Sequence, residues 1–381
     1  MSSRRTRFIA AAEPAPAAQV PVALPIVQTA TFVYDSALTD AMAAGDYRTQ
    51  YLYTRHSNPT LDALQKRLAE LHGAEDGVCF ASGMAAIASA LVALTRERRT
   101  IVADTVLYGA ATTLLTQYLA DMGRRVVFFD LGDPAARALA SAQTDVGVVY
   151  CETLSNPLVR PLDLPAAVEV ARAAGARLVV DNTLVCRPLE HGADLVVESL
   201  TKSISGHSDV HGGLVVGSRE LVGPVWHAMV HLGGCLDPHA AYLIWRGLKT
   251  LALRTDASQQ NARAVASALG ASADVDHVYF DETPRPWLHG TVSMLAFVVR
   301  GGDNAAQRVL DNLRVITAAT SLGGVESLAS LPHNTSHRTE QARRLVGLRP
   351  GTVRLSVGCE DVADIVADLR RAIADAMSVV D

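Results

Sequence analysis

Between Gly77 and Gly217 the chain alternates short, β-branched apolar runs with stretches of helical periodicity. The runs are Val78–Phe80, Ile101–Asp104, Arg125–Phe129, Val146–Tyr150, Arg177–Asp181, Asp194–Val197 and Gly213–Gly217. Each is almost continuously apolar rather than alternating, the mark of strands covered by helices on both faces. The pattern therefore predicts an α/β fold with a mostly parallel central sheet, with helices opening near Ser82 and after Gly109. A long helical stretch, Pro238–Leu269, leads to a different pattern. There, strands over Val292–Val299, Val315–Thr320 and Val353–Val357 mix with helices over Asn304–Leu313 and Asp361–Met377. That reads as a smaller α+β unit. The expected division is an N-terminal arm with a dimer-contacting segment (1–55), a large α/β domain (56–250) and the C-terminal domain (251–381). A chain of 381 residues exceeds one ordinary core and suits such a division.

Composition narrows the classes of function. Net charge is −5, with no basic block, which argues against nucleic acid as a main partner. No apolar run reaches membrane-spanning length. The stretch from Met1 to Pro25 starts basic and continues Ala/Pro-rich, without an apolar segment long enough for a signal peptide. It is expected to be an arm, flexible or draped on a neighbouring subunit. Cys79, Cys151, Cys186, Cys235 and Cys359 are scattered with no CxxC pair, so free thiols in a reducing cytosol are expected. His207 and His211 are four apart but glycine-flanked and outside any zincin pattern, so no metal site is expected.

One residue carries most of the chemical signal. Among 34 lysines and arginines only Lys66, Lys202 and Lys249 are lysine. Lys66 and Lys249 fall in helical stretches and suit solvated faces. Lys202 instead follows an apolar run and precedes a small, polar, turn-forming segment, which puts an amine at the end of a buried strand. Arginine cannot form a Schiff base; a desolvated lysine can, because burial frees its lone pair. In an open α/β sheet, ligands bind at the carboxyl ends of strands. Ser82, Gly83 and Met84 open a helix there, offering backbone N–H groups to a phosphate. Ser199 and Thr201 add hydroxyls beside Lys202. Asp181 ends a strand, where a carboxylate needs a positive partner. Tyr108 offers a flat ring and a phenol. Phosphate cradle, buried carboxylate, aromatic plate and amine together suit pyridoxal 5′-phosphate (PLP).

Motifs in the same order along the chain carry a resemblance. They are Tyr53–Thr60 (YTRHSNPT), Ser82–Met84, Leu107–Gly109, Glu152–Pro157 (ETLSNP), Asp181–Thr183, Ser199–Lys202, Gly206–Asp209, Ser321–Gly324 and Val353–Gly358. From about Pro25 onward the chain resembles the cystathionine γ-synthase-like PLP enzymes of Cys/Met metabolism, nearest their methionine γ-lyase and cystathionine γ-lyase branch. The resemblance implies the fold type I, aspartate aminotransferase-like architecture and a homotetramer built from two dimers with shared active sites.

It also implies residue roles. Lys202 holds PLP and moves protons, Asp181 pairs with the ring nitrogen, and Tyr108 stacks on the ring and protonates a leaving thiolate. Ser82, Gly83, Met84, Ser199 and Thr201 belong to the phosphate site, with Thr183 and Asn156 also at the cofactor. Tyr53 and Arg55 reach the phosphate of the neighbouring subunit, and Arg354, with Asn156 and Ser321, clamps the substrate carboxylate. Leu52 and Thr320 occupy the distal positions at which cystathionine γ-lyases tend to carry glutamates. Two neutral residues there favour a small apolar γ-substituent over a distal ammonium. Ala110 stands where methionine γ-lyases usually carry cysteine. The implied activity is α,γ-elimination of L-methionine or L-cystathionine to 2-oxobutyrate, ammonia and a thiol. A γ-replacement transferase (cystathionine γ-synthase or homoserine-ester sulfhydrylase) and a cystathionine β-lyase are the alternatives. A cytoplasmic enzyme is expected.

Overall fold

The computed structural model describes residues 21–34, 36–45, 47–184, 188–288 and 292–378. Most of the expected arm (1–20) and Cys186 lie outside the described residues.

Among the described residues seven strands form the large sheet: β1 (Asp76–Phe80), β2 (Thr100–Asp104), β3 (Arg125–Phe129), β4 (Val146–Glu152), β5 (Arg177–Asp181), β6 (Leu195–Glu198) and β7 (Gly213–Gly217). Their spatial order is β1-β7-β6-β5-β4-β2-β3. Every pairing is parallel except those of β7, which runs antiparallel to both β1 and β6. The reversal follows from the connection. Residues 199–212 return from β6 to β7 without a crossover helix, and a parallel strand would need one. The carboxyl ends of β1, β2, β4, β5 and β6 consequently share one edge of the sheet. The helix Gly83–Leu94 has no charged side chain and packs its Ile87, Ala90 and Leu91 into the core shared with the helix Arg219–Leu232.

The second sheet has the order β10-β11-β12-β9-β8, with β8 at Val275–Tyr279, β9 at Met294–Val299, β10 at Thr317–Ala318, β11 at Leu328–Ser330 and β12 at Thr352–Ser356. Its core is closed by the helices Leu251–Gly270, Gly302–Asn312 and Val362–Met377. Of the segment Val315–Thr320, only Thr317–Ala318 is strand. The backbone then turns away through Ser321, whose φ of 113° lies in the left-handed region. The single helix expected over Pro238–Leu269 is two, Pro238–Leu248 and Leu251–Gly270. They separate where the Gly247 carbonyl accepts from the Thr250 N–H at 3.1 Å and from Arg254 Nη2 at 2.9 Å.

Asp368 fixes the approach to β10. Its buried carboxylate accepts the backbone N–H groups of Arg314 (3.0 Å), Val315 (2.8 Å) and Ile316 (3.0 Å), and the Arg371 guanidinium. Burial alone would raise its pKa, but these donors outweigh it and hold the carboxyl below its ordinary range. A folded-state pKa below the unfolded one gives stability that is present above the unfolded value and lost as pH falls through the folded value. Asp368→Ala should therefore cost about 1–3 kcal/mol near neutral pH, with the buried Ile316 N–H left unpaired and those of Arg314 and Val315 returned to solvent. The gap to wild type should shrink below about pH 4, as urea unfolding at several pH values would record.

Candidate active site

The carboxyl ends of the strands enclose a cavity of about 1090 Å³. The end of β5 is locked to the end of β6 through side chains. Thr183 donates to Asp181 Oδ1 from its backbone N–H (3.0 Å) and its hydroxyl (2.6 Å), and its Oγ1 accepts the Ser199 N–H at 3.0 Å. Burial pushes the Asp181 carboxyl up to about 6 against the pull of the Thr183 hydrogen bonds. Directly across the β4–β5 ladder stands Glu152, whose Oε1 accepts the Tyr108 N–H at 2.5 Å. Burial, then the charge of Asp181, raises the Glu152 pKa well above the usual carboxylate range. The buried Tyr150 phenol adds to this cluster on the Asp181 side. Two carboxyls so placed cannot both be fully charged unless a cation lies beside them.

Lys202 lines the same cavity. Its Nζ donates to Ser321 Oγ at 2.9 Å. Burial, and then the charge of Arg354, lowers its pKa, so the neutral amine is reached below the pH at which an exposed lysine would lose its proton. Arg254 holds the following loop: Nη1 donates to the Ser203 carbonyl (2.8 Å) and Nη2 to that of Ile204 (3.2 Å). Gly206 leaves the room for this guanidinium, since a Cβ there would sit 1.8 Å from Arg254 Nη1.

Arg354 is 7% exposed. Its Nη2 donates to the Ser321 carbonyl at 2.7 Å, and its Nη1 to Asn156 Oδ1 at 3.4 Å. Burial lowers its pKa to about 10, so it remains a cation at neutral pH. Its buried Nε has no hydrogen-bond partner among the described residues. At the end of β1, Ser82 caps the helix Gly83–Leu94, its Oγ accepting the Ala85 N–H at 3.1 Å. Gly83 permits close contact here, because a Cβ would come within 3.0 Å of Ser199 Cβ. Thr201 Oγ1 accepts the Gly212 N–H at 3.1 Å and lines the cavity with Met84 and Thr320.

Of the residues selected from sequence, all but Tyr53, Arg55 and Leu52 line this cavity. Those three sit on the N-terminal segment. Tyr53 is exposed there, with the Arg55 guanidinium 5.4 Å from its ring centre, and Arg55 Nη1 donates to the Val230 carbonyl at 3.3 Å. The sequence reading gave no role to Glu152, Arg254, Glu326 or Arg338. Glu152 had a usable signal, an acid ending an apolar run as Asp181 does. Arg254 and Arg338 had none, being arginines in a helix and a loop. Among the described residues no cluster of three or more His, Cys, Asp or Glu side chains could hold a metal.

Residues 5–374 match the family described as Cys/Met metabolism PLP-dependent enzymes. The chain belongs to this family. It is 37% identical over 366 residues to L-methionine gamma-lyase of Pseudomonas putida, covering 92% of each chain. It is 35% identical to cystathionine gamma-lyase of Bacillus subtilis, covering 92% of this chain and 94% of that one. A crystal structure of cystathionine gamma synthase from Xanthomonas oryzae pv. oryzae in complex with cystathionine superposes with a TM-score of 0.86 at 38% identity, covering 94% of each chain.

The cofactor of these enzymes is PLP, and the residues present fit it. The Gly83 helix start with Ser199 and Thr201 suits a phosphate. Among the described residues no cation pairs with the carboxyls of Asp181 and Glu152; a pyridinium nitrogen would supply one, and such a charge would draw the Asp181 pKa back down. Lys202 is the amine within the same cavity. No helix among the described residues is long and apolar enough to cross a membrane.

Proposed function

We propose that this chain is a carbon–sulfur γ-lyase that converts L-methionine and water to 2-oxobutyrate, ammonia and methanethiol. The observation that carries the reading is the convergence of Lys202, Tyr108 and Arg354 on one cavity whose distal position, Thr320, is neutral. Arg354, steadied by Asn156 and Ser321, binds the substrate carboxylate with its remaining N–H groups. Bound PLP supplies an electron sink for the carbon acid. Lys202 takes the α-proton with its neutral amine, and Ser321 Oγ keeps that amine oriented between transfers. Tyr108 gives its phenolic proton to the departing sulfur, and the Glu152 carboxyl fixes the backbone that carries it. Asp181, set by Thr183, supports positive charge on the ring nitrogen. Glu326, whose Oε1 accepts from the Ser208 hydroxyl, is an acid of the cavity wall with acceptor sites left for an ammonium, which makes cystathionine the substrate to compare with methionine.

Tyr53 and Arg55 lie away from their own chain's cavity, which supports a shared site in a homodimer, two of which would make a tetramer. The free thiols of Cys79, Cys151, Cys235 and Cys359 suit a reducing cytoplasm. A second reading, a γ-replacement transferase, is supported by the likeness to the cystathionine gamma synthase structures. The deciding experiment compares L-methionine with L-cystathionine, with PLP and no thiol acceptor. 2-Oxobutyrate and methanethiol from methionine, with cystathionine poor, is the expected result. Turnover mainly of cystathionine would overturn the small-substituent reading. Silence with both, and activity with an acylated homoserine plus a thiol, would establish the transferase.

A further inference from the structure

We infer that Trp226 is a positioning residue for PLP binding: its indole N–H pins the turn that carries Arg55 and so presents the guanidinium to the PLP phosphate of the neighbouring subunit. The inference rests on the shared-site reading and adds a residue outside the cavity wall on which that site depends. The turn runs from Tyr53 to His56 and is closed where the His56 N–H donates to the Tyr53 carbonyl at 2.8 Å. Within it the Thr54 hydroxyl accepts from Asn58 Nδ2 at 3.1 Å, and Asn58 in turn caps the helix Pro59–Leu71. The side of the turn that bears Arg55 is fixed from another element. Trp226 Nε1 donates to the His56 carbonyl at 3.0 Å.

The indole is a fixed donor. Trp226 is buried in the core that the helix Arg219–Leu232 shares with the large sheet, alongside Val222, Val225 and Met229. Arg48 stands over its ring, 6.0 Å from the centre, and is held there by Asp76 through Nη1 (2.6 Å) and Nη2 (2.8 Å). Four residues further along the same helix face, the Val230 carbonyl accepts from Arg55 Nη1 at 3.3 Å. Val230 lies in the last turn, where carbonyls run out of helical partners and favour a cation. One helix thus grips the turn twice, at the His56 backbone and at the Arg55 guanidinium. A guanidinium has five N–H groups, so the contact with Val230 leaves others for a phosphate. Arg55 is exposed, and an exposed arginine must give up rotamer freedom to bind an anion. A turn fixed beforehand removes part of that cost.

The test measures PLP binding to the cofactor-free protein, read from the absorbance that PLP takes on when Lys202 engages it. Trp226→Phe should bind PLP about three- to tenfold more weakly, the worth of about one hydrogen bond. The benzothienyl isostere of tryptophan at position 226 replaces the N–H by sulfur and keeps the volume. It should show the same loss, and it decides the question if Trp226→Phe fails to fold. In an Arg55→Ala background Trp226→Phe should weaken binding about twofold or less, because its effect passes through Arg55. A residue that only supported the fold would weaken both backgrounds alike. Purified mixed dimers of Trp226→Phe and Lys202→Ala should bind with wild-type affinity, since their one site with Lys202 draws Arg55 from the chain whose Trp226 is intact. Unchanged affinity in both Trp226 variants, or an equal loss in the two backgrounds, would overturn the proposal. So would a loss that persists in the mixed dimer while the Arg55→Ala defect is repaired there. If Arg55→Ala is itself not repaired in mixed dimers, the shared site falls and takes this role of Trp226 with it.

Discussion

Replacing Lys202 with alanine should lower kcat by at least about 10³-fold while the chain still folds and still takes up PLP. The two halves of this expectation have separate causes. Among the described residues Lys202 is the lysine of the cavity wall, and its burial beside Arg354 favours the neutral amine that proton abstraction requires. The fold does not depend on it, because its one side-chain hydrogen bond is to Ser321 and the loop is held independently by Arg254. Loss of one such bond costs about 1 kcal/mol. The phosphate cradle at Gly83, Ser199 and Thr201 and the Asp181 carboxyl remain, so PLP should bind but be removable by dialysis and resist fixation by borohydride. Lys202→Arg should be equally inactive, since a guanidinium does not give up its proton near neutral pH. In wild type PLP engages this amine until substrate displaces it, so the acid limb of the kcat profile, rather than that of kcat/KM, should report an apparent pKa below lysine's ordinary 10.5. Wild-type turnover by Lys202→Ala would end this account of the site.

How much of this was legible in the sequence depends on what each residue's role leaves behind in the pattern. The seven strands of the large sheet were readable to within a residue or two because burial on both faces writes them as unbroken apolar runs. The direction of β7 was not, because Gly213–Gly217 is equally apolar either way round and its sense is decided by the connection from Lys202 to Gly212. The Val315–Thr320 run has the β-branched composition of a strand, but Asp368 captures its first N–H groups and Ser321 bends its end, leaving two residues in the ladder. Lys202, Asp181, Tyr108 and Ser199 could be found because each interrupts an apolar run at a strand's carboxyl end. Arg254 and Arg338 could not. Their roles depend on which distant carbonyl or cavity they meet, and a sequence of many arginines gives no reason to prefer these two. Glu152 ends an apolar run as Asp181 does and carried the same signal, but its place beside Asp181 on the neighbouring strand is set by the fold.

The remaining large effect concerns the residues that the fold places outside their own chain's cavity. Arg55→Ala should bind PLP about 10–100-fold more weakly, the loss expected for charge-assisted hydrogen bonds to a phosphate. That defect should be repairable by a second inactive variant. If Arg55 of one subunit serves the Lys202 of its partner, a mixed dimer of Arg55→Ala and Lys202→Ala contains one site with both lesions and one with neither. Random pairing of equal amounts makes half the dimers mixed, and half of their sites intact, so about a quarter of wild-type activity should return at subsaturating PLP. Each variant alone should stay inactive under the same conditions. The arithmetic depends on the two side chains entering the site from different chains. If Arg55 instead acted within its own chain, every site in the mixture would keep its single lesion. Subunit exchange, followed by mass spectrometry on differently tagged variants, with no return of activity would assign Arg55 to its own chain and remove the physical reason for a shared site. Recovery near a quarter would make the dimer the smallest active unit and explain why Tyr53 is exposed with the Arg55 guanidinium against its ring.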